Sequence, residues 1–153
     1  MKDKVHQLNQ RILEQIPLTG GIGLEIASYD GRELIMTAPL APNRNDKGTG
    51  FAGSIAALAT LAGWALVTLG VEERRGPAEV AICRSEIDYL RPITADFCAR
   101  CRLPEEEALQ DLLADLDQKG RGRLKVAVVV EQKQTQAVIF SGTYVVRLRP
   151  CCP

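Results

Sequence analysis

The chain is poor in the residues that most often announce chemistry. It has one histidine and one tryptophan, and aromatics make up 5% of its 153 residues. The lone histidine, His6, lies in an N-terminal segment, so a Ser-His-Asp relay would require that segment to fold back onto a distant nucleophile. A surplus of charge is also missing. Nineteen basic residues balance nineteen acidic ones, which gives no reason to expect nucleic acid or an anionic membrane as partner. The opening Met1–Gln7 is polar and lacks the apolar core of a secretion signal. The expected location is the cytoplasm, where the five cysteines, an odd number, read as free thiols. No repeat or low-complexity tract is visible, and the length fits one domain over 1–153.

What is present begins with a run free of charge. Phe51 to Leu69 is nineteen residues without an ionisable side chain, long enough for a membrane span. Ala52, Ala56, Ala59 and Gly63 recur at helical spacing, so one face carries almost no side chain. Ile55, Leu58, Leu66 and Leu69 supply a bulkier face. A helix apolar all round is enclosed by protein or by lipid. With weak flanking anchors and no second span, the composition favours a buried core helix and no membrane partner.

Around it the periodicities alternate between helix and strand. Val5, Leu8, Ile12 and Ile16 have helical spacing, ended by Pro17. Ile22–Ala27 and Glu33–Ala38 read as strands joined at Asp30-Gly31. Val80–Arg91 reads as a long strand with Cys83, Ser85, Ile87 and Tyr89 on one side and Arg84, Glu86 and Asp88 on the other. Phe97–Leu103 is a further strand. Pro104 opens an acidic helix whose apolar stripe is Ala108, Leu109, Leu112, Leu113 and Leu116, and Gly120 and Gly122 end it. Leu124, Val126, Val128 and Val130 alternate, as do Val138, Phe140, Gly142, Tyr144 and Val146, with a turn near Lys133. Hairpin-length links predict an α+β fold with a mostly antiparallel sheet packed on the one long helix.

The polar segment Pro42-Asn43-Arg44-Asn45-Asp46-Lys47-Gly48-Thr49-Gly50 runs directly into Phe51-Ala52-Gly53-Ser54. A carboxylate and an amide thus stand beside helix N-terminal N–H groups, which attract developing negative charge. That is a layout for chemistry on a carbonyl. Asn, Asp and Gly are also favoured in turns for their own backbone preferences, so the same residues have a second reading as turn formers.

Together with Asp88-Tyr89-Leu90-Arg91-Pro92-Ile93, this segment resembles the hotdog-fold thioesterases, specifically the YiiD C-terminal type. The resemblance implies a curved sheet wrapped around a long central helix. It also implies a homodimer or dimer of dimers with the site between subunits, and acyl-CoA or acyl carrier protein thioesters of fatty acid metabolism as substrates. In the phenylacetyl-CoA-type relatives the loop reads Asn-x-x-Gly followed by His-Gly-Gly. Asn45 and Gly48 match the first part, Phe51-Ala52-Gly53 replaces the second, and Thr60 stands where those relatives carry a helical acid. A hotdog dehydratase would need a loop histidine, which is absent.

On this resemblance Asp46 is the expected base or nucleophile, Asn45 positions water or carbonyl, and the Gly53 N–H stabilises the oxyanion. Gly48, Phe51, Ala52, Ser54 and Thr60 are expected to line the substrate. Arg84 and Arg91 could meet the phosphates of coenzyme A or phosphopantetheine, although for any single arginine a solvated face position paired with Glu86 or Asp88 is the simpler reading. The missing histidine and helical acid leave open a second class, a non-catalytic thioester-binding module serving an acyltransferase. No metal or redox cofactor is implied. Cys98 and Cys101 have half-site spacing, with Cys151 and Cys152 as further candidate ligands, but on a strand the first two point to opposite faces. Cys83 reads as a small core residue, and Cys151-Cys152-Pro153 as a frayed tail.

Overall fold

A computed structural model describes residues 1–149. Helix α1 (Lys2–Gln15) and the short α2 (Leu18–Ile22) precede a hairpin of β1 (Glu25–Tyr29) and β2 (Glu33–Ala38). After a 3-10 turn at Ala41–Asn43 comes α3 (Ala52–Arg75), then β3 (Ala78–Tyr89), β4 (Phe97–Arg102), α4 (Glu106–Lys119), β5 (Arg121–Gln132) and β6 (Thr135–Leu148). The six strands form one antiparallel sheet in the order β1-β2-β4-β5-β6-β3. The sheet curls around α3, the hotdog arrangement expected from the sequence.

The core is the set of side chains trapped between α3 and the concave face. Leu58, Ala59, Ala62, Ala65, Leu66 and Val67 on the helix meet Val128, Val130, Val138, Phe140, Tyr144 and Val146 on the strands, all essentially without exposure. The charge-free run is therefore a core helix. Small residues let the sheet approach it. A Cβ on Gly63 would overlap the Tyr144 ring, 2.7 Å from Cζ, and the Tyr144 hydroxyl donates to the Thr60 carbonyl at 2.8 Å. The buried Cys101 thiol likewise donates to the Ala62 carbonyl at 3.4 Å. Tyr144 and Cys101 thus hang two strands on two carbonyls of one helix, those of Thr60 and Ala62.

Four local details depart from the sequence reading. A bulge lies between Ile82 and Arg84. It shifts the phase of β3, so Ile82, opposite the inward Tyr144, shares the helix side with Ser85 and Ile87. Cys83 is consequently exposed rather than a core residue. Pro104 stands outside α4, whose N-cap is Glu105. Helix α2 was not anticipated. Its Thr19 hydroxyl holds the Ile16 carbonyl at 2.8 Å, and Gly23 closes it in the left-handed region, φ 66°. The α4 leucines are buried as expected, but Ala108 is exposed.

The two sheet edges are finished differently. Edge strand β1 is covered by α1, whose Asn9 side chain both donates to the Ile26 carbonyl (3.1 Å) and accepts from the Ile26 N–H (2.9 Å). Edge strand β3 is twelve residues long and mostly exposed. Its ties to α3 are the Trp64 Nε1 bond to the Val80 carbonyl, 2.8 Å, and the Tyr89 hydroxyl bond to the Ala52 carbonyl, 3.1 Å.

Candidate functional site

The loop before α3 is a self-contained Asx turn. Asn45 Oδ1 accepts the N–H groups of Lys47 (2.9 Å) and Thr49 (3.1 Å), while Nδ2 donates to Thr49 Oγ1 (2.9 Å) and the Gly50 carbonyl (3.3 Å). Gly48 supplies the left-handed residue, φ 78°, and its N–H donates to the Asn45 carbonyl at 3.1 Å. These bonds match the turn-forming reading of Asn45 and Gly48. Asn45 still faces a groove, but its amide is occupied by its own loop.

Asn43, quoted in the motif without a role, proves to be a buried strut. Its Nδ2 donates to the carbonyls of Ile22 (2.8 Å) and Pro39 (2.7 Å), and its own carbonyl accepts the Phe51 N–H at 2.7 Å. It pins α2, the end of β2 and the start of α3 to one point. Its Oδ1 is buried without a partner.

No side chain caps α3. The first-turn N–H groups of Ala52, Gly53 and Ser54, which helix geometry leaves without an intrahelical acceptor, therefore have no capping side chain either. The Phe51 ring lies over Gly53: a Cβ there would stand 2.5 Å from Phe51 Cε1. The ring itself is 53% exposed. Beside this helix start the two sequence motifs meet. The Gly50 N–H donates to the Ile93 carbonyl at 2.7 Å, and Tyr89 reaches Ala52 as above. Between them lies an open groove of about 330 Å3, walled by Asn45, Thr49, Ala52, Ile55, Tyr89, Leu90, Arg91 and Ile93 among others. Burial raises the Tyr89 hydroxyl above the usual phenol range. No carboxylate or imidazole belongs to the lining.

The remaining candidates fall in different places. The Asp46 side chain is 80% exposed, and Lys47 Nζ stands 3.2 Å from it. In the single chain it points to solvent and not into the groove. Ser54 is buried within the first turn of α3. Thr60 is half-buried about 10 Å further along the helix. Arg91 is on the groove wall; Arg84 is on the outer sheet face, 3.3 Å from Glu86. Arg100 lies between Glu33 and Glu131, and Arg102 also bonds Glu33, which holds the Glu33 carboxyl below the usual range, the Arg102 hydrogen bond foremost. Cys98 and Cys101 do face opposite ways, half-buried and buried, and no metal-binding cluster occurs among the described residues. The expectations for Cys151 and Cys152 lie outside the described residues.

An antiparallel sheet rolled on one central helix, with a loop feeding that helix's uncapped start, defines a hotdog-fold protein. Residues 5–148 match the family described as putative thioesterase (yiiD_Cterm), and the chain belongs to that family. A crystal structure of a protein of unknown function from Chlorobaculum tepidum is similar at TM-score 0.88 and 31% identity, covering 95% of this chain and 94% of that one. The putative thioesterase from Shewanella oneidensis matches at TM-score 0.87 and 28% identity, covering 97% of this chain and all (100%) of that one. The E. coli PaaI protein of the phenylacetic acid degradation operon shares the fold at TM-score 0.67 and 20% identity, covering 96% of this chain and 95% of that one.

Proposed function

We propose that the chain hydrolyses acyl thioesters carried on coenzyme A or on acyl carrier protein, at the groove beside the start of α3. The observation that carries this is the uncapped helix start, opening on a groove whose walls are the two family motifs. The thioester carbonyl oxygen accepts from the Gly53 N–H, where donors fixed before the reaction stabilise the oxyanion. A water attacks the carbonyl carbon as Asp46 takes its proton. The tetrahedral intermediate expels the thiolate, which takes up a proton. Asn45 holds the loop at the groove, and Arg91 on its wall meets carrier phosphate. Because Asp46 faces solvent in one chain, this reading has it delivered to the groove of a second copy, in a homodimer or dimer of dimers.

The test is an acyl-CoA panel followed by chromatography, comparing wild type with Asp46→Ala and Asn45→Ala. Turnover by wild type and its loss in Asp46→Ala is the expected result; equal turnover ends the role of Asp46. A second reading, a non-catalytic thioester-binding module serving an acyltransferase, is favoured by the lack of any acid or histidine in the groove lining. Retention of acyl-CoA without turnover by wild type would select it.

A further inference from the structure

The outer face of the sheet carries cations that the chain does not neutralise. Along β5, Arg121, Arg123 and Lys125 alternate with the buried Gly122, Leu124 and Val126, so all three project outward. The register sets Arg147 of β6 directly opposite Arg121, and Thr143 between Lys125 and Arg84. Arg121, Arg123, Lys125 and Arg147 are exposed, and none makes an ion pair among the described residues. The neighbouring acids Glu86 and Glu79 already stand 3.3 Å from Arg84 and 3.6 Å from Arg149. Asp88 lies further along β3, toward its C-terminal end. Like charges directly opposite in a ladder repel, yet Arg121 faces Arg147, and Glu79 on the other side of Arg147 is paired with Arg149 instead. Ser141 and Thr143 add hydroxyls in a shallow pocket of about 270 Å3 with Arg84, Lys125, Ser85 and the Arg84-paired Glu86.

The spacing decides what fits. Successive outward residues of β5 stand about 7 Å apart, and facing residues on neighbouring strands about 5 Å. One phosphate cannot span that lattice. A nucleotide would want a ring to stack on, but the residues interspersed with these cations are Ala81, Thr143 and Val145, and no aromatic side chain shares the face. A broad convex face with dispersed cations is complementary to a protein surface bearing several carboxylates.

We propose that this face docks an acidic protein. Within the thioester reading, on which this second step rests, an acidic acyl carrier protein delivers its acyl group by docking here, while free acyl-CoA reaches the groove without using this face. Strand β3 joins the two regions: Arg84 borders the patch and Tyr89 walls the groove, about 17 Å further along the strand.

The experiment titrates an unacylated acyl carrier protein into the full chain by calorimetry, at low and high salt. Saturable binding is expected, weakened about tenfold or more by salt and by Arg121→Glu with Arg147→Glu, with kcat/KM for acyl-CoA and the oligomeric mass unchanged. Arg123→Gln with Lys125→Gln, a gentler neutralisation, should weaken binding about threefold and serves if the reversal disturbs folding. No saturable binding, or binding indifferent to both variant pairs, overturns the proposal. So does a changed oligomeric mass in the charge-reversed variant, which would mean a second copy covers the face. Loss of all thioester turnover in wild type would instead remove the hydrolase reading, while the titration still decides the docking face.

Discussion

Two glycines of α3 present the same contact and predict opposite outcomes. A Cβ on Gly53 would meet Phe51, and one on Gly63 would meet Tyr144. Phe51 is half-exposed and its ring can swing outward; Tyr144 is fully buried and cannot. Gly53→Ala should therefore shift stability by less than about 1 kcal/mol, the strain offset by better helix propensity. Gly63→Ala should destabilise by about 1–3 kcal/mol, as overpacking does. Denaturant melts of the two variants check this, and equal losses would show that the Phe51 ring is held more firmly than its exposure implies. Asp46→Ala, at a side chain open to solvent, should leave the melt unchanged, since such exposed pairs contribute little. Any loss of turnover in it is then chemistry and not unfolding. The sequence showed that Asn45 and Asp46 share a loop of turn formers, but spacing cannot give side-chain direction. That Asn45 turns inward on its own loop while Asp46 turns outward depends on the Asx geometry. Asn43 left no signal at all, because its partners at Ile22 and Pro39 are brought to it only by the fold.

The elements that were legible are those with one face sealed. In β5 and most of β6 the alternation survives because every second residue turns inward onto α3 or α4, and the charge-free run was long enough to be the central helix. Where a local device interrupts the period, the reading slipped: the β3 bulge moved Cys83 out of the core, and α2, with two adjacent glycines, has too little helix propensity to be seen. Cys101, by contrast, ties β4 to α3, and this joint should be sensitive to pH. Burial raises the Cys101 thiol from its ordinary value of 9.0 to about 12. A group whose pKa is raised by folding contributes its full stability below the unfolded value and loses it as pH climbs to the folded one. Wild type should thus be weakened relative to Cys101→Ala between pH 9 and about 12, by at most about 4 kcal/mol. Parallel melts across that window check the sign; a constant gap between the two proteins would show that the thiol ionises without opening the joint.

For the whole molecule, the features left open in one chain are where the second copy of the proposal would pack. The long edge of β3 is open, a half-exposed stripe of α3 runs through Ala57, Thr60 and Trp64, and the groove lacks the base that the loop turns away from it. If the site is shared between copies, two defects placed on opposite sides of it can complement each other. Asp46→Ala lacks the base and Gly53→Val blocks the oxyanion donor, so each alone should be inactive. In a mixed dimer with shared sites, one site carries both defects and the other carries neither. Random pairing of equal amounts makes half the dimers mixed, so turnover should return to about a quarter of wild type. If Asp46 serves the groove of its own chain, every site in the mixed dimer keeps one defect and nothing returns. Co-refolding the two variants and assaying acyl-CoA turnover separates the cases. Light scattering in the same solution must show a mass at least twice the 16.7 kDa of the chain for the experiment to count. A monomer that turns over substrate would remove the shared site altogether and leave the loop to bring Asp46 inward by its own motion.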